Sequence, residues 1–507
     1  MKIINKYITI CVLAVGMLTL NACADKFLDR QPLDQVVEST FYKTESDAIA
    51  AVNATYDPLQ WYLVYGRGDW HFRWLFGEIV ADNADKGGSG DNDQPPFLQL
   101  ATFTANANNG NIEGEWATKY TGIYRANLVL EKVPAIEMNA DLKARLLAEA
   151  KFLRGYYYYE LVIKFGGVPL ITGPLKTNEY NLTRNTKEEC WAQIEKDLTE
   201  AASVLPERGQ YASADLGRAT KGAANGYLLK ALVFQKKWAE AEAVANTIIN
   251  SGQYSLASDY TSIFTQAGEN GPGSVFEIQY RSGTNGDWGA PWLGEGNVSN
   301  VFTRSRGPFN GWGFIIPTQN LVDEFETGDP RLAATVVQAG DVVGDWGVYD
   351  PTKLDPPYQY AARKFFIDMA EVPTGENEHL NGPGNDRILR YADILLMHAE
   401  AAYHNGNEGA ARMSVNMVRA RARGGNSAIL PDVTATGPNL LNAIYHERRV
   451  ELALEGHRFF DLIRWGTVGN VMRSTGVNFV DGVHELFPIP QSQIDVTNGT
   501  LVQNPGY

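Results

Sequence analysis

The chain has 507 residues, of which 44% are hydrophobic and 20% are charged. This composition is typical of a globular protein with a large core, and it excludes a disordered or collagen-like chain. Acidic side chains outnumber basic ones by 59 to 44, and the net charge of -15 argues against nucleic acid as a partner because phosphate backbones would be repelled. Three cysteines are too few and too scattered for a disulfide framework or a CxxC zinc site.

The beginning of the chain has the layout of an export signal. Lys2 and Lys6 precede an apolar stretch over residues 7–20, which is short beside the roughly 20 residues that span a bilayer. A cysteine directly after a small residue then resembles a bacterial lipobox. We therefore predict that residues 1–22 are a signal peptide and that Cys23 is a lipid anchor. It would carry a diacylglyceryl group and a further acyl chain such as palmitate, which tether the body without inserting it. The alternative is an ordinary secretory signal in which this cysteine has no role.

Helical periodicity dominates several long stretches that follow. Apolar side chains at steps of four and seven over residues 141–164 predict a helix, and the four consecutive tyrosines at 156–159 must also reach a second neighbour. Two helix pairs are predicted at 223–249 and 388–423, each with a short polar turn and small residues where the helices approach. The fuller pair resembles a tetratricopeptide repeat, in which each hairpin buries its face by stacking on the next.

Glycine-rich and aromatic-rich stretches separate these helices. Residues 268–313 keep no helical or strand period apart from the short run 275–278, and residues 340–360 are similar. Long loops within a compact protein are usually functional. The pattern therefore indicates a helical scaffold and a working surface made of loops.

The most charge-dense segment spans residues 445–466. Three of its glutamates lie at steps of four: Glu447, Glu451 and Glu455. On a helix these like charges oppose one another unless cations face them. We interpret the cluster as a structural ion-pair network with Arg448, Arg458 and arginines of neighbouring helices such as Arg390. The alternative is a carboxylate cluster for metal or acid/base chemistry, but the segment lacks the Glu-x-x-His pairs that helical di-metal proteins use.

Motifs for catalysis are missing from the sequence. It has no HExxH, no GxSxG and no glycine loop that follows a strand in the manner of a phosphate site. We predict no catalytic residue, no metal and no cofactor. A secreted glycosidase remains an alternative, because the spacing of two carboxylates in space is not visible in a sequence.

Tryptophans in the loop stretches indicate a specific class of ligand. Six of them are mixed with Asn, Asp and Arg: Trp61, Trp70, Trp288, Trp292, Trp312 and Trp346. A sugar ring has an apolar face of C–H groups that a flat aromatic ring covers, while polar side chains bond the hydroxyl rim. The six are therefore predicted stacking residues for a glycan ligand. The alternative for each is that it pins its loop onto the body.

Several scaffold motifs follow Cys23 in a fixed order. They are FLD at 27–29, NLVL at 127–130, AEAKFLRGYYYY at 148–159, FGGVP at 165–169, RYADILLMHAEA at 390–401, FDLIRWG at 460–466, LFPIP at 486–490 and NPGY at 504–507. In content and order the chain resembles the SusD/RagB family, the surface lipoproteins with which Bacteroidetes bacteria capture nutrients. The resemblance covers nearly the whole mature chain. These motifs belong to the scaffold, so they do not identify any ligand-binding residue.

The resemblance implies a mainly α fold, with four degenerate tetratricopeptide-type helix hairpins and a loop-rich ligand face. The expected organisation is a signal peptide at 1–22, an N-terminal SusD-like region at 23–225 and a C-terminal RagB/SusD region at 226–507 with loop-rich insertions at 268–313 and 340–360.

The resemblance also implies a function. A lipoprotein held in outer-membrane lipid by acylated Cys23 and facing the exterior would bind an oligo- or polysaccharide, without cleaving it, beside a SusC-type TonB-dependent transporter. In some family members the ligand is a peptide. A periplasmic scaffold that holds other proteins by its repeats is a further alternative.

Overall fold

The structure is a computed structural model that describes residues 41–63, 69–176, 179–282, 295–372 and 381–507. The described chain is mainly helical, which confirms the predicted fold class. Its α-helices are α1 Glu45–Tyr56, α2 Arg73–Gly77, α3 Pro95–Ala101, α4 Gly110–Lys132, α5 Ala140–Phe165, α6 Lys187–Val204, α7 Lys221–Phe234, α8 Trp238–Asn250, α9 Ser299–Thr303, α10 Gln319–Glu324, α11 Arg331–Thr335, α12 Tyr391–His404, α13 Glu408–Ala422, α14 Gly437–Leu452, α15 Arg458–Trp465, α16 Val468–Ser474 and α17 Gln491–Val496.

The helical body is a stack of four helix pairs. The pairs are α1 with α4, α5 with α6, α7 with α8, and α12 with α13, and each pair packs on the next through α4 and α5, α6 and α7, and α8 and α12. Stacking of this kind buries the faces that single hairpins would leave in water. Helix α14 then covers α12 and α13. Both predicted helix pairs are present, except that α12 begins at Tyr391 because residues 386–390 form a strand.

Helix α5 shows how local sequence sets these elements. The Asn139 side chain accepts a hydrogen bond from the Leu142 amide at its start, and Gly166 ends it at a positive φ of 75°. Its four tyrosines are all buried. Tyr157 donates to the Thr55 carbonyl of α1, while Tyr159 lies 5.9 Å from Trp191 of α6. The tyrosines therefore reach two neighbours, as the sequence predicted.

Short strands attach the loop regions to this body. Within the described ranges the strands are β1 Ala84–Gly87, β2 Ser274–Ile278, β3 Phe314–Pro317, β4 Val336–Gln338, β5 Tyr360–Ala362 and β6 Asp386–Arg390. They form three two-stranded antiparallel ladders, β1 with β3, β2 with β6, and β4 with β5. The first two ladders join segments more than one hundred residues apart, whereas the third joins two strands of one loop region, within residues 336–362.

None of the helices in the described ranges has the length and apolar character that a membrane crossing would require.

Candidate functional site

The glutamates of α14 lie at the centre of a buried charge cluster. Glu447 and Glu451 are on the helix and Glu455 follows its end. The ion pairs, between 2.5 and 3.1 Å, are Arg331 and Arg419 with Glu447, then Arg331, Arg390 and Arg421 with Glu451, then Lys364 and Arg390 with Glu455. Burial opposes ionisation of Glu451, but the guanidinium groups around it lower its pKa well below the ordinary value. The predicted ion-pair network is confirmed.

Two of the predicted partners of this cluster are wrong. Arg448 pairs with Asp393 and Asp461, and Arg458 pairs with Asp82. Arg448 is one residue after Glu447 and therefore lies about 100° further around the helix, where it faces a different neighbour. Among the described residues, no group of three or more His, Cys, Asp or Glu side chains is placed to hold a metal ion.

Three of the predicted tryptophans pack around one segment, residues 299–313. Phe302 of α9 is fully buried, and its ring lies 5.0 Å from the ring of Trp70 and 4.5 Å from that of Trp312. Trp70 also stacks on Phe72 at 5.7 Å. Both tryptophans remain partly exposed. Phe302 thus contacts two partly exposed indole rings, those of Trp70 and Trp312.

Trp346 contacts the same segment through Arg304 and Phe309. The guanidinium of Arg304 lies 5.0 Å from the Trp346 ring, and the Trp346 Nε1 donates to the Ile367 carbonyl at 3.0 Å. Arg304 is itself buried, and its Nε donates to the Phe309 carbonyl. Trp346 is therefore held in a fixed, partly exposed position. We call Trp70, Trp312 and Trp346, with residues 299–313, the tryptophan face.

Polar groups border the tryptophan face. Arg306 is 31% exposed and donates to the carbonyls of Trp312 at 3.1 Å and Asp355 at 3.0 Å, with the Asp93 carboxylate 3.8 Å away. Lys86 fixes the neighbouring loop by donating to the Gly90 carbonyl at 2.8 Å, and burial lowers the pKa of Lys86. The face therefore combines aromatic surface with hydrogen-bonding groups, which suits a ligand that has an apolar face and a hydroxylated rim.

The other three predicted tryptophans lie elsewhere. Trp61 is partly buried beneath the guanidinium of Arg125, 4.9 Å from its ring, and lines a cavity of about 620 Å³ on the helical body. Trp288 and Trp292 fall outside the described residues, and so does Cys23. The sequence did not single out Phe302, although the density of rings and arginines between residues 302 and 312 was a signal for it.

Two family models match the chain. The one described as the SusD family matches residues 272–507, and the one described as starch-binding associating with outer membrane matches residues 73–232. Among curated relatives, SusD-like protein P2 of Formosa agariphila is 29% identical over 97% of this chain and 98% of its own length. SusD-like protein P25 of the same organism is 27% identical, with coverages of 95% and 96%.

Solved structures of similar proteins also superpose on this chain. A laminarin binding SusD-like protein superposes with a TM-score of 0.80 at 31% identity, over 92% of this chain and 100% of that one. Surface glycan-binding protein A from Bacteroides thetaiotaomicron, in complex with laminarihexaose, gives a TM-score of 0.78 at 26% identity, over 91% and 100%. These similarities extend across both the helical body and the loop regions.

Proposed function

The chain belongs to the SusD/RagB family, and from that membership we propose that it is an outer-membrane lipoprotein that binds an oligo- or polysaccharide and delivers it to a SusC-type TonB-dependent transporter. The acylated Cys23 would anchor it on the outside of the cell. The protein would bind its glycan without cleaving it, because its task is to raise the local concentration of ligand and then release it.

The tryptophan face is the observation that supports glycan binding. Trp70, Trp312 and Trp346 would stack on sugar rings, and Arg306 would bond their hydroxyl groups. Each indole is held by packing on the body and keeps part of its surface exposed. Preformed aromatic platforms lose little conformational freedom on binding, which favours affinity. Laminarin is the first polysaccharide to test, since one structural relative is named for binding it and another was solved with laminarihexaose.

Isothermal titration of the detergent-solubilised mature protein tests this function. The probes are laminarihexaose, maltohexaose, cellohexaose and a tryptic peptide mixture. We expect at least one hexasaccharide to bind, and Trp312→Ala to weaken that binding by at least about tenfold, or about 1.4 kcal/mol. Trp238→Ala is the matched control, because Trp238 stacks on His404 away from the face and should leave binding unchanged. Binding of peptides alone would support a peptide-import subunit and contradict the glycan proposal.

Two further measurements test anchoring and delivery. Protease treatment of intact cells should digest a protein that faces the exterior, whereas a periplasmic scaffold would survive. Affinity purification through a tag on this protein should enrich a TonB-dependent transporter from detergent-solubilised outer membranes. Survival in the first experiment, or no transporter in the second, would contradict the corresponding part of the proposal. Prolonged incubation with the bound hexasaccharide should leave it intact, and shorter products would indicate a glycosidase instead.

A further inference from the structure

A second concave site lies on the helical body, apart from the tryptophan face. The cavity of about 620 Å³ is bordered by the end of α1, the turn after it, α4, residues 214–218 and the end of β2. No residue of the tryptophan face lines it. Its volume is in the range of about 300–1,000 Å³ that ligand sites occupy. We call it the body pocket.

The wall of the body pocket offers apolar surface at its rim and floor. Trp61 lines one side, the Leu216 side chain stands 52% exposed at the edge, and Ile278 is buried beneath. Gly217 follows Leu216 with a φ of 93°, and a Cβ there would lie 2.5 Å from the side chain of Gln279. The glycine therefore allows this segment to approach β2 closely and keeps an apolar side chain at the pocket edge.

Both arginines of the wall are already in ion pairs. Arg125 pairs with Asp57 at 2.6 Å, and Arg218 pairs with Glu149 at 3.1 Å and with Asp215 at 2.7 Å. The carboxylate of Glu277 accepts hydrogen bonds from the backbone N–H of Asn270. An ionic ligand would have to break such pairs to find a partner, at the cost of leaving a charge unpaired. The pocket therefore favours a neutral ligand.

Several neutral polar atoms around the pocket have unused hydrogen-bonding capacity. Trp61 Nε1 is buried and donates to no described residue. Gln60 donates its amide to the Gln279 carbonyl, and Asn53 accepts from Arg218, but Gln60 Oε1 and Asn53 Nδ2 make no hydrogen bond within the described ranges. One aromatic ring, apolar neighbours and amide groups together match a sugar, which is neutral, hydroxylated and apolar on one face.

From these observations we propose that the body pocket is a second carbohydrate site, which holds a short neutral segment of oligosaccharide. This inference rests on the proposed glycan-binding function and adds a second point of attachment to it. Two sites on one rigid body increase the avidity for a long polysaccharide, because the second contact becomes intramolecular once the first has formed. They also let the protein hold one end of a polymer while the tryptophan face releases another.

The experiment compares variants of the two sites in the detergent-solubilised mature protein. Isothermal titration with laminarihexaose, maltohexaose and cellohexaose should give two binding sites for the hexasaccharide that binds. Trp61→Ala and Leu216→Asp should each weaken binding at the body pocket by at least about fivefold and leave binding at the tryptophan face unchanged. Trp312→Ala should weaken binding at the tryptophan face and leave binding at the body pocket unchanged. Met413→Asp is the matched control for Leu216→Asp, since Met413 is 60% exposed and outside the pocket, and it should leave both sites intact.

Each contrary outcome has a distinct meaning. A single site that Trp312→Ala removes and Leu216→Asp does not affect would overturn the second site and leave the proposed function standing. No binding of any hexasaccharide to the wild-type protein would overturn both. Binding of a tryptic peptide mixture that Leu216→Asp abolishes would show that the pocket takes peptides and would overturn the carbohydrate assignment. Leu216 is exposed, so its variant should fold even if Trp61→Ala does not, and thermal unfolding of each variant checks this.

Discussion

Replacement of Glu451 by glutamine tests the charge cluster that supports the loop region. The carboxylate is completely buried, and three guanidinium groups lie 2.5 to 3.1 Å from it. Glutamine keeps the shape but removes the charge and points an amide donor at groups that are themselves donors. Loss of one partner from a buried ion pair costs about 3–5 kcal/mol, because the opposite charge is left without compensation. We predict a fall of this size in the free energy of unfolding at pH 7.

Urea unfolding followed by circular dichroism measures this change, with Glu200→Gln as the control. Glu200 pairs with Lys151 at the surface, where the two side chains are 40% and 32% exposed, so its loss should cost less than about 1 kcal/mol. The pKa of Glu451 is lowered by folding. Its contribution is therefore complete above the unfolded pKa, near 4.5, and declines as the pH falls toward the folded value.

The difference between wild type and Glu451→Gln should accordingly shrink by about 1.4 kcal/mol for each pH unit below about 4.5. Equal losses for the Glu451 and Glu200 variants at pH 7 would refute the reasoning. A difference in unfolding free energy between wild type and Glu451→Gln that stays constant down to pH 3 would refute it as well. Such a result would mean that the ionised carboxylate of Glu451 is not the source of the stability.

Three other changes have defined outcomes. Arg306→Ala removes the side chain that holds two loop carbonyls at the tryptophan face, and should weaken hexasaccharide binding in titration by about three- to tenfold without a large change in thermal unfolding. Gly122→Ala would place a Cβ 2.2 Å from the ring of Tyr157 and should lower the free energy of unfolding by about 1–3 kcal/mol, whereas Gly409→Ala, with nothing within 4 Å, should not destabilise. Cys23→Ser should move the protein from the membrane fraction to the soluble fraction of lysed cells.

The helical body could be predicted from sequence because its signals are local. Helix α5 and the helix pair at 223–249 follow from apolar spacing within single stretches, and Gly166 marks the end of α5. The start of α12 was missed, since residues 386–390 pair with β2 more than one hundred residues earlier. Apolar residues such as Ile388 suit either a helix or a strand, and only that distant partner decides between them.

The tryptophan face could be predicted only in part, because its arrangement depends on non-local packing. The sequence identified the aromatic residues but not that Phe302 would gather Trp70 and Trp312, which are more than two hundred residues apart. The sequence also did not show that Trp61 lies apart from the tryptophan face, against Arg125 of α4. Arg448 shows the same limit, since its partner Asp393 lies on another helix. Residue type indicates the chemistry of a site, and the fold decides which residues share it.

Glycan binding at the tryptophan face is tested most directly by a crystal structure of the protein with laminarihexaose, or with maltohexaose or cellohexaose if titration selects one of them. The expected result is a sugar ring stacked on at least one of Trp70, Trp312 and Trp346, with a hydroxyl group within hydrogen-bonding distance of Arg306. A bound hexasaccharide that leaves all three indole rings uncovered would contradict the account.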